Sequence, residues 1–314
     1  MMNNKRIRII CGTANRPLGE AVARKLNVPL CNTEIRRFSD GEVFVQINEN
    51  IRGANVFIIQ PTNPPGDNIL ELLMLIEASR RASAKNITAV IPYYGYARAD
   101  RKEKPRVCIT AKLIADCLMV AGADRVITMD LHAAQIQGFF AIPVDHLYSS
   151  ILFNDYLQQI PTTDMVVVSP DVGSIKVARA FAKTMEASLA IIDKRRPVQN
   201  LAEVVNIIGD VKGRDVILRD DMIDTGGTLC EAALALKGSG CGKIFACAAH
   251  GVLSGNALER LDKSPIEQVI ISDSIDNSGR NLSGKFVVLS CAEIFAEAID
   301  RIESDASVSI MFED

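Results

Sequence analysis

This chain carries no excess of positive charge: its 35 Lys and Arg are outweighed by 38 Asp and Glu, for a formal net charge of -3 and a pI near 5.8. A protein that holds nucleic acid or an anionic membrane surface needs a basic footprint, so a small-molecule ligand is the better expectation. No segment reaches the apolar length of a membrane span, and the run after Lys5, Arg6 and Arg8 is too short for a signal sequence. The eight cysteines include no Cys-x-x-Cys pair and lie mostly in apolar stretches such as those ending in Cys11 and Cys247, which reads as reduced core residues of a cytoplasmic protein. Two nucleotide signatures are missing as well. No Gly-x-Gly-x-x-Gly follows the first strand-like run, so a nicotinamide enzyme has no support. The stretch 238–243 resembles a P-loop, but Lys237 replaces the first glycine, Ile244 replaces the Ser/Thr, and a strand-like run follows; it reads as a helix C-terminus.

What is present is an almost end-to-end alternation of strand-like and helix-like runs, the pattern of an α/β protein with largely parallel sheets. The 314 residues leave room for two domains, each with its own core. The spacing predicts strands at 6–11, 43–47, 55–60, 87–91 and 125–129, with helices at 17–26, 67–84 and 110–121. A second set starts near residue 150, with helices at 151–159 and 175–185 and strands at 165–169, 189–192, 202–208 and 216–218, the last two joined by the turn 209–214. The alternation continues through 243–248, 255–261, 267–272 and 286–289. The expected domains are 1–149 and 150–314, similar in build without a convincing sequence repeat, and the last helix at 292–302 suits packing on either.

The stretch from Val216 to Leu229 organises the rest. An apolar run suited to a buried parallel strand ends in Asp220 and Asp221, then Asp224-Thr225-Gly226-Gly227-Thr228, then a helix-period segment. Gly226 and Gly227 let backbone N–H groups face an anion, Thr225 and Thr228 add hydroxyls, and the helix offers its positive end. Asp220, Asp221 and Asp224 make sense beside a phosphate when the ligand is a sugar phosphate, since carboxylates accept hydrogen bonds from ribose hydroxyls or hold a metal ion.

Five other stretches carry chemistry. Phe38-Ser39-Asp40-Gly41-Glu42 reads on its own as a hairpin turn, Asp-Gly being a common turn signal. The segment from Pro92 to Arg106 joins three tyrosines to Arg98, Arg101, Lys102, Lys104 and Arg106, either a solvated basic loop or a lid that closes positive charge over a polyphosphate. Asp130 and His132 lie two apart at a strand end, which would aim both side chains to one side, and Asp171 follows another strand. Lys194 and Arg196 end a strand expected to be buried, where they either cap a loop or neutralise developing phosphoryl charge.

The Asp220–Thr228 stretch resembles the phosphoribosyl-diphosphate loop shared by type I phosphoribosyltransferases and ribose-phosphate pyrophosphokinases. The Phe38, Pro92–Arg106, Asp130–His132, Asp171 and Lys194–Arg196 stretches resemble only the latter, in their bacterial class I form, and the likeness runs from Phe38 to Ser309. It implies two domains of type I phosphoribosyltransferase-like fold, each a mainly parallel sheet flanked by helices. It implies that the diphosphoryl group of ATP passes to the 1-hydroxyl of ribose 5-phosphate, for nucleotide, histidine and tryptophan biosynthesis. In that family Phe38, Asp40, Gly41, Glu42 and Arg98 would hold ATP, and Asp220, Asp221, Asp224, Thr225, Gly226, Gly227, Thr228 and Arg196 the ribose 5-phosphate. His132 and Asp171, supported by Asp130, would hold Mg2+, while Lys194, Arg196 and Arg101 would stabilise the transition state. The resemblance further implies a homo-oligomer, commonly a hexamer, activated by inorganic phosphate and inhibited by ADP, with Arg52, Ser83, Ser307 and Ser309 at matching regulatory positions. The chain departs from the family pattern at Ala99, Cys108, Ala141, Ser174 and Val177; Ala141 weakens the case for a second, carboxylate-rich metal site. A non-catalytic regulatory homologue and a nucleobase phosphoribosyltransferase are the alternatives.

Overall fold

The computed structural model describes residues 7–162, 164–195 and 204–311. Two compact units emerge, one from the described residues of 1–148, 274–276 and 290–314, the other from those of 149–273 and 277–289.

The first unit alternates β1 (Ile7–Cys11), α1 (Arg16–Leu26), the pair β2 (Thr33–Arg37) and β3 (Val43–Ile47), β4 (Asn55–Ile59), α2 (Asp67–Arg81), β5 (Asn86–Ile91), α3 (Thr110–Ala121), β6 (Arg125–Met129) and β7 (Val144–Leu147). Five strands form one parallel sheet in the order β1-β4-β5-β6-β7, and β2 and β3 stand apart as an antiparallel hairpin. The sheet strands are short apolar runs covered on both faces, as β-branched residues such as Ile58 and Val90 allow. The α1 helix starts because the Asn15 side chain accepts a hydrogen bond from the Leu18 amide at 3.1 Å, and it stops at Asn27, which takes a left-handed φ of 53°.

The second unit runs α4 (Ser150–Leu157), β8 (Val166–Ser169), α5 (Ile175–Thr184), β9 (Ser188–Arg195), β10 (Val204–Ile208), β11 (Val216–Ile223), α6 (Gly227–Gly238), β12 (Ile244–Gly251), α7 (Ala257–Lys263), β13 (Gln268–Ser272) and β14 (Phe286–Leu289). Its seven strands order as β10-β9-β8-β11-β12-β13-β14, all parallel except β10, which runs antiparallel to β9. The runs joined by the 209–214 turn are therefore not sheet neighbours: β10 forms an edge while β11 lies at the centre, with β9 and β8 between them. The helix α8 (Ala292–Glu303) groups with the first unit, where it packs on α1 and Glu293 pairs with Lys25.

This connectivity locates the crevices. From β8 the chain passes through α5 to β9 on one side, and from β11 it passes through α6 to β12 on the other, so β8 and β11 flank a switch point where parallel strands open at their carboxyl ends. In the first unit the same reversal falls between β1, which bridges Leu30 on its far side, and β4. Among the described residues no helix is long and apolar enough to cross a membrane. All eight cysteines are free thiols and six are buried; burial pushes Cys11 up to about 12 and Cys31 to about 11, which keeps these thiols protonated.

Candidate active site

The switch-point crevice of the second unit collects the residues singled out around Thr225. Asp220 and Asp221 sit in the carboxyl half of β11, which continues through Met222 and Ile223 before the chain enters the loop 224–226. Gly226 has φ 69°, a left-handed conformation at the N-cap of α6, and an added Cβ would stand 3.3 Å from Leu261. The loop is held from outside: Arg260 Nη1 donates to the Thr225 carbonyl at 2.8 Å, and the Ser254 amide donates to the Asp224 carbonyl at 2.9 Å. The first turn of α6 begins at this loop, and the N-terminal amides of a helix are the arrangement that accepts a phosphate.

The neighbouring wall comes from the loop after β8. Asp171 Oδ1 accepts the Ser174 amide at 2.9 Å, and the Ser169 hydroxyl donates to the Asp171 carbonyl at 2.7 Å. The Ser174 hydroxyl crosses to Asp220 Oδ1 at 2.6 Å, and the same oxygen accepts the Asp221 amide at 2.9 Å. Burial, and secondarily the adjacent Asp221 carboxylate, push the Asp220 carboxyl up to about 8. Asp220 is thus mostly uncharged near neutral pH, which lowers the negative charge that gathers in the crevice before a cation or a set of hydroxyls arrives.

The equivalent crevice of the first unit is closed by its own side chains. Buried Glu71 accepts from the Thr13 amide at 2.6 Å, the Thr13 hydroxyl at 2.7 Å and Gln60 Nε2 at 2.9 Å, while Gln60 Oε1 accepts the Ala14 amide at 3.1 Å. A carboxylate occupies the place where the loop after β1 would otherwise offer its amides to an anion. A cleft of about 520 Å³ beside Asn55, Asn86, Arg125 and Glu303 lies at the opposite, amino end of its strands.

The other predicted residues of the first unit fall on three features. Phe38, Asp40, Gly41 and Glu42 form the exposed tip of the β2–β3 hairpin: the Phe38 amide donates to the Glu42 carbonyl at 2.9 Å, and the Glu42 amide to Asp40 Oδ1 at 3.0 Å. The turn reading and the nucleotide reading therefore concern one object. Phe38 keeps 43% of its surface exposed, its ring edge-on to Phe44 at 5.7 Å, with the Arg36 guanidinium over both rings. Arg98 and Arg101 are exposed on the loop between β5 and α3; Tyr94 Oη donates to the Ala111 carbonyl at 2.9 Å, and Gln135 Nε2 to Asp100 Oδ2 at 3.1 Å. Asp130 and His132 depart from the simple alternation. The strand β6 ends at Met129 and Asp130 turns to φ 40°, so the two side chains do not share a strand face; Asp130 is buried and His132 exposed. Between the two, the Leu131 amide donates to His146 Nε2 at 2.9 Å.

Lys194 lies on β9, paired in register with Val205 of β10, and Arg196 lies outside the described residues. Among the described residues no group of three or more His, Cys, Asp and Glu side chains gathers as a metal cage. Mg2+ asks for less, since it usually takes one or two carboxylates and shares substrate phosphates, and Asp171 beside the phosphate cradle fits that demand.

Comparison with known proteins decides the family. A model of the N-terminal domain of ribose phosphate pyrophosphokinase matches residues 7–122, and a model of the phosphoribosyl synthetase-associated domain matches 194–313. The ribose-phosphate pyrophosphokinase of Chlorobaculum tepidum is 54% identical over 308 residues, spanning 98% of this chain and 95% of the relative. The chain belongs to the ribose-phosphate pyrophosphokinase family. The ribose-phosphate pyrophosphokinase of Synechococcus elongatus is 51% identical over 313 residues, spanning 99% of this chain and 95% of its own. The crystal structure of phosphoribosylpyrophosphate synthetase from Mycobacterium smegmatis superposes with a TM-score of 0.91 at 39% identity, covering 96% of this chain and 99% of that one.

For this member of the pyrophosphokinase family, residue reasoning overlooked two contributors. Arg260 sits on α7 with no motif around it, and only folding brings it under the Thr225 carbonyl. Ser174 was visible only as a departure, and its hydroxyl bond to Asp220 spans 46 residues of sequence.

Proposed function

We propose that this chain catalyses attack of the 1-hydroxyl of ribose 5-phosphate on the β-phosphorus of ATP. A new O–P bond forms at C1, the bond from the β-phosphorus to the α,β-bridging oxygen breaks, AMP leaves with that oxygen, and the hydroxyl proton is released. The product is 5-phospho-α-D-ribose 1-diphosphate. Membership in the ribose-phosphate pyrophosphokinase family makes the chain a transferase of nucleotide biosynthesis. The observation that carries the residue assignment is the cradle of Thr225–Thr228 opening at the β8–β11 switch point beside Asp220 and Asp171.

In this reading the α6 amides and the hydroxyls of Thr225 and Thr228 hold the 5-phosphate, with Gly226 and Gly227 admitting it closely. Asp220, Asp221 and Asp224 meet the ribose hydroxyls and fix the direction of C1. The hairpin tip of Phe38, Asp40, Gly41 and Glu42, with Arg98, holds ATP, the exposed Phe38 ring offering a stacking face. Lys194 and Arg196 neutralise the charge that builds on the diphosphoryl oxygens, joined by Arg101. His132 and Asp171, supported by Asp130, would hold Mg2+, which when bound supplies charge neutralisation on the ATP phosphates. The exposed Arg52, Ser307 and Ser309 and the half-buried Ser83 are proposed regulatory contacts for inorganic phosphate and ADP in a homo-oligomer, a hexamer on the resemblance; Ser307 and Ser309 already lie 2.9 Å apart, Oγ to Oγ. A cytoplasmic setting goes with the free thiols.

Product analysis by 31P NMR tests the reaction. ATP and ribose 5-phosphate should give AMP and a C1-linked diphosphate in equal amounts with no ADP. Formation of ADP in place of AMP would assign a monophosphoryl transfer and overturn the reading.

A further inference from the structure

Two acids, Asp171 of the candidate Mg2+ set and Asp220 of the candidate sugar site, come from distant elements, the loop after β8 and the carboxyl half of β11, and one residue touches both. The Ser174 amide donates to Asp171 Oδ1 at 2.9 Å and its hydroxyl to Asp220 Oδ1 at 2.6 Å. We infer that Ser174 is a positioning residue of the ribose 5-phosphate site, its hydroxyl fixing the plane of the Asp220 carboxyl while its amide fixes Asp171. The inference rests on the proposed reaction and adds a residue outside the loop and acid motifs.

The physical argument is one of orientation. A carboxyl that must accept hydrogen bonds from a ribose needs its oxygens set before the sugar arrives, because each degree of freedom frozen on binding weakens affinity. Asp220 Oδ1 receives two donors, the Ser174 hydroxyl and the Asp221 amide at 2.9 Å. The amide comes from its own strand and moves with it; the hydroxyl comes from the α5 N-cap and references Asp220 to the opposite wall of the crevice. A backbone-only residue at 174 would keep the Asp171 bond and lose this cross-tie. Ser174 is half-buried, so its hydroxyl is not freely replaced by bulk water.

The test compares wild type, Ser174→Ala and Ser174→Thr in steady-state kinetics and in calorimetric titration with ribose 5-phosphate alone. Ser174→Gly removes the same hydroxyl and replaces the alanine variant if that one does not fold. Loss of the hydroxyl should weaken ribose 5-phosphate about 10-fold in both Kd and KM, leave the KM for ATP within about 2-fold, and lower kcat less than it raises the sugar KM. Threonine, which keeps the hydroxyl, should restore sugar affinity to within about 3-fold. Unchanged sugar binding in the alanine variant, no rescue by threonine, or a matching rise in the KM for ATP overturns the assignment. The calorimetric arm separates the two levels: a wild type that binds the sugar without sugar-dependent turnover overturns the reaction while still testing Ser174, and one that does neither overturns both.

Discussion

Asp220 carries a proton burden that sets a measurable pH dependence. Burial first and Asp221 second raise its carboxyl from the ordinary 3.8 to about 8. Below about pH 4 the group is protonated in folded and unfolded chains alike, so it makes no difference to stability. As pH rises from about 4 to about 8 the unfolded chain releases this proton and the folded chain keeps it, so stability falls across that window and levels off above it. Asp220→Asn retains an Oδ1 acceptor for Ser174 and the Asp221 amide but cannot ionise. Its Tm should match wild type near about pH 4 and exceed it near about pH 9; a gap constant across pH would contradict the raised carboxyl. Gly226 makes a second residue-level prediction. At φ 69°, with Leu261 3.3 Å from an added Cβ, Gly226→Ala should cost about 1–2 kcal/mol, lower Tm by about 2–4 °C and weaken ribose 5-phosphate. The need for glycine at the turn was legible from Thr-Gly-Gly-Thr, whereas Arg260 beneath the same loop was not, because nothing local to a surface helix encodes which carbonyl it meets.

Among the elements, the β2–β3 hairpin stands outside both larger sheets; Ile35, Val45 and Ile47 pack on the core of the first unit, while the tip at Phe38 stays exposed. The Arg37–Asp67 pair at 2.7 Å ties it to the start of α2, and both partners are substantially exposed, so that tie contributes little to stability. Phe38→Ala should therefore leave Tm within about 1 °C and raise the KM for ATP about 10-fold, checked by melting and ATP saturation curves. An equal KM would remove the tip from the nucleotide site. Strand β3 was readable as Val43–Ile47, but its partner β2 was missed. Thr33-Glu34-Ile35-Arg36-Arg37 has one large apolar residue and is exposed along much of its length, so the period-2 signal that marks half-buried strands is almost absent. The same weakness hid the short β7, whose Asp145 and His146 look like ligands rather than strand residues. Sheet order was hidden in a different way: adjacent runs joined by a turn suggest a hairpin, yet β10 and β11 separate because β11 finds two parallel partners in β8 and β12.

At the scale of the whole molecule, two units use one kind of crevice differently. In the second unit, loop amides, hydroxyls and carboxyls line the β8–β11 opening, while in the first unit Glu71 satisfies the loop from within. Glu71→Leu would take the acceptor from the part-buried Thr13 amide and leave buried Gln60 Nε2 with only the Asn68 carbonyl at 3.3 Å, and should destabilise the first unit by about 1–3 kcal/mol in denaturant melts. A loss under about 0.5 kcal/mol would show that water replaces the carboxylate. The α/β class and most element positions were legible because buried parallel strands are continuous apolar runs between helical periods. The grouping of α8 with the first unit was not, since an amphipathic helix states which of its faces is apolar but not what covers it. The charge at Lys194 bears most directly on the proposed reaction. AMP release from ATP, with Mg2+ and inorganic phosphate present, should depend on ribose 5-phosphate in wild type and fall by about 100-fold or more in Lys194→Ala. A folded wild-type protein that binds ATP and releases no sugar-dependent AMP would contradict the diphosphokinase reading and favour a non-catalytic regulatory homologue.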